Sequence, residues 1–305
     1  MDRRGAAEDS AGPSRGALLP YSLPAPNVAA CRRPAESLAD LMTPVLLFWV
    51  SLLLKMIVTA GFVASATLIA ERSGPLIGGL VATLPISAGP VYVFLALDHP
   101  ASFLADSAVA SLAINPVIAA FALACAVLAQ RHGRVLTVLA ALALWLVLAV
   151  IVHSLAWTVV TACIFNIIAL PVALFLARPL REATIPRLRT RWSDIAARGG
   201  AVALLVALVV LVSTRVGPGA TGILALFPIV MSSLMFILHG RVGGKAAGAV
   251  MASSVTGLIG LGLAFLTLHL TAVALGSAAA ILLAFAVSMA WGLLVILAKR
   301  SGLPV

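Results

Sequence analysis

The chain has 305 residues, of which 62% are apolar and only 10% are charged, and its mean hydropathy is +1.16. Water-soluble globular proteins are about half apolar and about a quarter charged, so this composition excludes that class. It predicts a polytopic membrane protein built from helices. The net charge of +10 resides mostly in connections between apolar segments, which favours membrane lipids as partners and argues against nucleic acid.

Residues 1–42 form a tail that is rich in Gly, Pro, Ala and Ser and has no apolar periodicity, so we predict that it is disordered. Met42 is an alternative start of translation, in which case the tail is not part of the protein. Nine apolar segments follow, each bounded by Gly, Pro or charge. They are 43–70, 75–97, 103–129, 135–152, 155–177, 199–214, 219–238, 246–268 and 270–297. The fold class predicted from them is all-α, a membrane bundle of about nine transmembrane helices.

The connection at 178–198 contains six arginines, and cytoplasmic connections accumulate Lys and Arg. We therefore predict that it is cytoplasmic. Counting outward through the segments places Arg131, Arg134 and Arg241 on the same side, with the N-terminus outside and the C-terminus inside. The predicted location is the inner membrane of a bacterium, crossed several times.

The sequence contains an internal repeat with an offset of 143 residues. Residues 72–86 and 215–229 are identical at seven of fifteen positions, including both prolines. This predicts a first membrane repeat at 43–152, a connector helix with a basic loop at 153–198, and a second repeat at 199–305. Five segments precede the second copy, an odd number, so the two copies should cross the membrane in opposite directions. Inverted repeats of this kind are typical of secondary transporters.

The run at 71–87, ERSGPLIGGLVATLPIS, resembles the opening of the GlpM-type small bacterial inner-membrane proteins, which are about one repeat long. The resemblance implies a fused, inverted pair of such units and brings no settled substrate. The second copy departs from the motif because Val230 replaces Ser87.

Pro85 and Pro228 each lie about ten residues into a predicted helix, roughly 15 Å deep. A proline at that depth cannot donate its backbone hydrogen bond, and broken helices in membranes often line a substrate site. Hydroxyl groups for such a site are available nearby, from Thr83, Ser87, Ser232 and Ser233. The alternative is that the prolines are ordinary kinks used for packing.

Lys55 is the one charge well inside an apolar run, so it is a candidate for binding an anion, although it could also extend to the membrane interface. Arg72 and Arg215 flank the two broken helices and could contact substrate, or serve only as interfacial anchors. Asn115 and Asn166 should face the bundle interior and form hydrogen bonds between helices.

Four further titratable residues are assigned to the membrane interface. His153 lies in a tight turn, and His239 and His269 lie at predicted helix ends. Asp106 is the one carboxylate placed to move a proton, and it too can simply lie at headgroup level.

This pattern predicts secondary transport or export of a small metabolite or lipid-linked group. If Lys55 binds the substrate, the substrate is an anion. No HExxH, GxSxG or Walker motif is present, so we predict neither an enzyme nor a metal or other cofactor. The alternative is a membrane scaffold or assembly subunit for cell-envelope biosynthesis. A homo-oligomer is compatible with either function.

Overall fold

The computed structural model describes residues 38–72, 88–182 and 191–301, with backbone alone at 38–45, 67, 69–72 and 299. The chain divides into two compact units, residues 1–48 and 49–305. The described part of the first unit is the start of one helix. Regular structure in all the described ranges is helical, without strands. The helices are α1 (Leu38–Arg72), α2 (Ala88–Asp98), α3 (Ala101–Leu128), α4 (Arg134–Ser154), α5 (Val159–Ala177), α6 (Trp192–Ala225), α7 (Ile229–Val242), α8 (Gly244–Ser254), α9 (Gly257–Leu275) and α10 (Ser277–Arg300).

Seven helical stretches of the described ranges are long and apolar enough to cross a bilayer. They are Leu46–Ala66, Ala101–Leu128, Arg134–Ser154, Val159–Leu180, Trp192–Val242, Gly244–Leu275 and Ser277–Ala298. Large apolar side chains cover their outer surfaces; Ile167 and Leu282, for example, are each 71% exposed. Such a surface is unfavourable in water and suits hydrocarbon. The described part of the chain is therefore all-helical, and its length, composition and surface are those of a multi-pass integral membrane protein. Helix α1 begins at Leu38, inside the segment predicted to be a disordered tail.

The stretch from Trp192 to Val242 folds back on itself. Asp194 and Arg241 form an ion pair with an N–O distance of 2.7 Å, although a straight helix would separate them by about 70 Å. Gly217 interrupts helix α6 with φ 73° and ψ 176°, a conformation that glycine adopts without strain. The chain reverses there, so this stretch contains two antiparallel passes. The returning pass is interrupted again between Leu226 and Pro228, just before α7.

Helix α3 lies at the centre of the bundle. Of its most apolar stretch, 72% is buried, against at most 44% for the other long described helices. It packs against α4, α5, α6, α8 and α9. Helices α8 and α9 run antiparallel along it, with Gly244 against the carbonyl of Ala129 at one end and His269 bonded to Ala105 near the other.

The connections gather at two ends of the bundle. At one end, which we call the basic end, the α3–α4 and α7–α8 connections meet the start of α6, because His239 bonds to the His132 carbonyl and Arg241 to Asp194. Arg131, Arg134, Arg191, Arg241 and Lys245 lie there. The reversal at Gly217 and the α2–α3 and α4–α5 connections lie at the opposite end. The same connections were grouped together by counting segments in the sequence, and that the basic end is cytoplasmic stays a prediction.

Candidate functional site

A row of buried polar residues follows one face of the central helix α3. Ser107, Ser111 and Asn115 are spaced four residues apart, which places them on one face, and each is fully buried. A polar group inside a membrane bundle must find a partner in the protein, because water and lipid do not supply one there. We call these three residues the central polar row.

Ser111 joins three helices. Its hydroxyl donates to the Gly222 carbonyl at 2.7 Å, and it lies 2.7 Å from the Tyr92 hydroxyl. Since the single hydrogen of Ser111 is used toward Gly222, Tyr92 is the donor to Ser111. Helices α2, α3 and α6 are therefore held at one point in the interior.

Asn115 joins α3 to α5 and α9. Its amide nitrogen donates to Asn166 Oδ1 and to the Leu258 carbonyl, both at 2.9 Å. The amide nitrogen of Asn166 donates in turn to the carbonyls of Leu112 at 2.7 Å and Ala162 at 2.8 Å. The prediction that both asparagines face the interior and bond across helices is confirmed.

Two polar atoms of the central polar row have no hydrogen-bond partner among the described residues. They are Ser107 Oγ and Asn115 Oδ1, and both are buried. An unsatisfied buried group costs about 1–3 kcal/mol, so such groups need a specific reason to persist in a folded protein. Hydrogen-bonding capacity is therefore available in the centre of the bundle for a water molecule or a polar solute.

A cleft of about 400 Å³ opens at the end of the bundle opposite the basic end. It takes lining from α3, from the α4–α5 connection, from the reversal in α6 and from α9. Its polar side chains are a carboxylate, two imidazoles and a hydroxyl, contributed by Asp106, His153, His269 and Thr158. Helix α3 contributes Asp106, Val109 and Ala110 to the cleft, and none of the three residues of the central polar row lines it.

The reversal of α6 forms one wall of the cleft. Pro218 and Gly219, which follow Gly217 directly, are among its lining residues. The Thr221 hydroxyl donates to the Gly217 carbonyl, one helical turn earlier, at 2.6 Å. Backbone without helical hydrogen bonds is tolerated within a membrane protein where it is covered by protein or lines a cavity.

His269 lies within α9, six residues before its end, so the prediction that it lies at a helix end is wrong. The sequence suggested a boundary there because a polar residue separates two apolar runs, but the helix continues to Leu275. Its Nδ1 donates to the Ala105 carbonyl at 2.9 Å, which leaves Nε2 as an acceptor. The sequence did not predict the bond from His269 to Ala105, or the cleft that His269 lines together with Asp106. Asp106 and His269 are 163 residues apart in the chain.

The predicted break at Pro228 is present. Residues 226–228 are not helical, and α7 starts at Ile229. The hydroxyls of Ser232 and Ser233 donate to the carbonyls of Pro228 at 2.7 Å and Val230 at 2.8 Å. Both predicted hydroxyl ligands therefore first serve the backbone of their own helix. The first copy of this site, Thr83, Pro85 and Ser87, lies outside the described residues.

Lys55 has its anionic partner within the chain. Its ammonium nitrogen lies 2.6 and 2.7 Å from the two carboxylate oxygens of Asp98, and 5.9 Å from the centre of the Phe94 ring. The positive charge that the sequence offered to a substrate is therefore neutralised by α2. Arg215 is exposed beside the reversal, and the side chain of Arg72 lies outside the described residues.

His99 connects the α2–α3 connection to α6. Its Nε2 lies 2.8 Å from Ser213 Oγ, and its ring stacks on Phe103. Ser213 donates its own hydrogen to the Val210 carbonyl, so His99 Nε2 carries a hydrogen and donates. Burial lowers the pKa of His99, opposed by the charge of Asp98 and assisted by that of Lys55.

No protein-family model, curated protein or solved structure matches the chain. Within the described ranges, no three His, Cys, Asp or Glu side chains lie close enough together to hold a metal ion. The described site offers hydrogen-bonding groups in a buried row, and a carboxylate and two imidazoles in the cleft.

Proposed function

We propose that the chain is a secondary transporter of the bacterial inner membrane, which moves a small metabolite or lipid-linked group between two inverted repeats. The observation that carries the proposal is the central polar row, in which two buried polar atoms, Ser107 Oγ and Asn115 Oδ1, have no partner among the described residues. A protein that served only as a scaffold would gain nothing from such unpaired groups. The proposal includes no enzymatic step and no cofactor.

Helix positions support a duplication with an offset of 143 residues. Helices α3 and α8 begin at Ala101 and Gly244, and α4 and α10 begin at Arg134 and Ser277; each pair differs by that number. The ion pairs correspond as well. Asp98 and Arg241 are equivalent by the same offset, and each bonds to the first long helix of its own half. The acidic and basic partners change places between the two copies, because Asp98 pairs with Lys55 in the first and Arg241 pairs with Asp194 in the second.

Packing supports an inverted relation between the copies. The equivalent helices α3 and α8–α9 run antiparallel along their length. A two-fold axis in the membrane plane brings residues on the axis against their own counterparts. Asn115 donates to the carbonyl of Leu258, which is its counterpart at the offset of 143. This contact lies where such an axis would pass, and the central polar row lies on the same interface.

Flux through reconstituted protein tests the proposal. Proteoliposomes containing the full chain would be screened for uptake of a labelled panel of metabolites and lipid precursors, against protein-free vesicles. Pro228→Ala should lose most of any flux found, because alanine supplies the missing N–H and lets α7 extend across the break. Pro100→Ala, an exposed proline before α3, is the matched control and should retain flux.

One outcome would count against transport, and another would count against the role of the break at Pro228. Absence of flux above protein-free vesicles for the whole panel would favour the scaffold alternative. Equal flux in Pro228→Ala and wild type, at equal membrane insertion, would show that the break is not used.

A further inference from the structure

A second cavity, a groove of about 320 Å³, lies between α5 and α9. Ile167 is 71% exposed and Leu263 is 40% exposed, so the groove opens at the bundle surface that faces lipid. Its one amide side chain, Asn166, uses its polar atoms in the bonds described above. The remaining walls are almost wholly apolar, and include Leu112, Cys163, Pro171, Ile259 and Leu266. We call this cavity the α5–α9 groove.

Two arginines follow α5 at the basic end. Arg181 Nη2 donates to Thr256 Oγ1 at 3.0 Å, and Thr256 precedes the groove residue Ile259 by three positions, about 4.5 Å along a helix. The guanidinium of Arg178 lies 5.7 Å from the centre of the Phe175 ring, which is 65% exposed on the lipid-facing surface. Positive charge is therefore present where the groove approaches the basic end.

The positive charges of Arg178 and Arg181 repel each other. Burial lowers the pKa of Arg181, and the positive charge of Arg178 lowers it further. Two like charges at the edge of an apolar surface are unfavourable together, and an anion that contacts both relieves the repulsion. Arginine pairs with phosphate through two parallel hydrogen bonds, so phosphate is the anion that this arrangement suits.

We propose that the α5–α9 groove and these arginines form a binding site for an anionic phospholipid. One acyl chain occupies the groove, and the headgroup phosphate contacts Arg178 and Arg181. Basic pockets between transmembrane helices commonly bind acidic headgroups, and the groove opens sideways, where a lipid can enter without leaving the bilayer. This site is separate from the central polar row and does not depend on the proposed transport function.

Native mass spectrometry of the full chain, stripped of lipid in detergent, tests the site. The protein would be titrated with phosphatidylglycerol and with phosphatidylcholine carrying the same acyl chains. We expect phosphatidylglycerol to bind about fivefold more tightly, and Arg178→Gln to remove that preference. Arg178 is the residue of choice because Arg181 also supports Thr256. Arg131→Gln, an exposed arginine at the same end, is the charge-matched control and should retain the preference.

Filling the groove separates a lipid from a free anion. Ile167→Trp should weaken phosphatidylglycerol binding severalfold, and inorganic phosphate at millimolar concentration should not displace the lipid. Equal binding of the two lipids, equal loss in Arg131→Gln and Arg178→Gln, or displacement by inorganic phosphate would each overturn the proposal.

Discussion

At Gly222 the returning pass of α6 lies in close contact with the central helix α3. A Cβ added to Gly222 would overlap the carbonyl oxygen of Ser107 and come within 2.9 Å of the Ala110 Cβ. A carbonyl in a central helix cannot move aside as a flexible side chain could. We therefore expect Gly222→Ala to separate α3 from α6 and to weaken the hydrogen bond from Ser111 to the Gly222 carbonyl.

The expected change in the free energy of unfolding of Gly222→Ala is the sum of opposing contributions. Glycine to alanine in a helix normally stabilises by about 0.5–1 kcal/mol. Overpacking a close contact costs about 1–3 kcal/mol, and a weakened hydrogen bond about 1 kcal/mol. The net expectation for Gly222→Ala is a loss of about 1–3 kcal/mol. Gly219→Ala is the matched control, since its Cβ would meet nothing within 4 Å.

Thermal unfolding in detergent, followed by tryptophan fluorescence, measures both variants. Gly222→Ala should melt at least about 2 °C below Gly219→Ala, and Gly219→Ala should melt at or slightly above wild type. Equal melting temperatures for the two variants would refute the close approach of α6 to α3 at this position.

Two further predictions concern the α2–α3 connection. Lys55→Asp should lower the free energy of unfolding by about 1–3 kcal/mol because two carboxylates then face each other, with the lower end reflecting the 33% exposure of Asp98. Adding Asp98→Lys should restore most of the lost melting temperature. A double variant no more stable than Lys55→Asp alone would contradict the pairing. Burial lowers the pKa of His99 in the folded protein, so protonation of this imidazole favours the unfolded chain. The free energy of unfolding should therefore be constant above about pH 6.5, the pKa of an unperturbed histidine. It should fall as the pH is lowered from there toward the folded-state pKa. His99→Gln should reduce that fall in a melting series from pH 8 to 5, and an unchanged slope would assign it to another group.

The sequence predicted those features that depend on local chemistry. The break at Pro228 follows from a missing N–H, which acts within one turn of helix. Asn115 and Asn166 had to face the interior because an amide in lipid has no partner. The grouping of the basic connections followed from counting segments, which requires no knowledge of packing.

Features that depend on distant residues could not be predicted in this way. Hydropathy does not reveal which face of a membrane helix is buried, because lipid and protein interior are both apolar. Helices α3 and α5 are similarly apolar, yet 72% of one and 22% of the other is buried. The signal for the buried face of α3 is the four-residue spacing of Ser107, Ser111 and Asn115, which places three polar side chains on one side of an apolar helix.

The sequence by itself determined that the chain is a helical membrane protein, that helices are interrupted near Gly217 and at Pro228, and which connections lie together, since composition, proline and charge act locally or by simple alternation. The tertiary structure alone decided that Asp98 neutralises Lys55 and that Asp106 and His269 share one cleft. These contacts join residues far apart in the chain, and they depend on the angles and depths at which helices pack, which many apolar sequences would satisfy equally well.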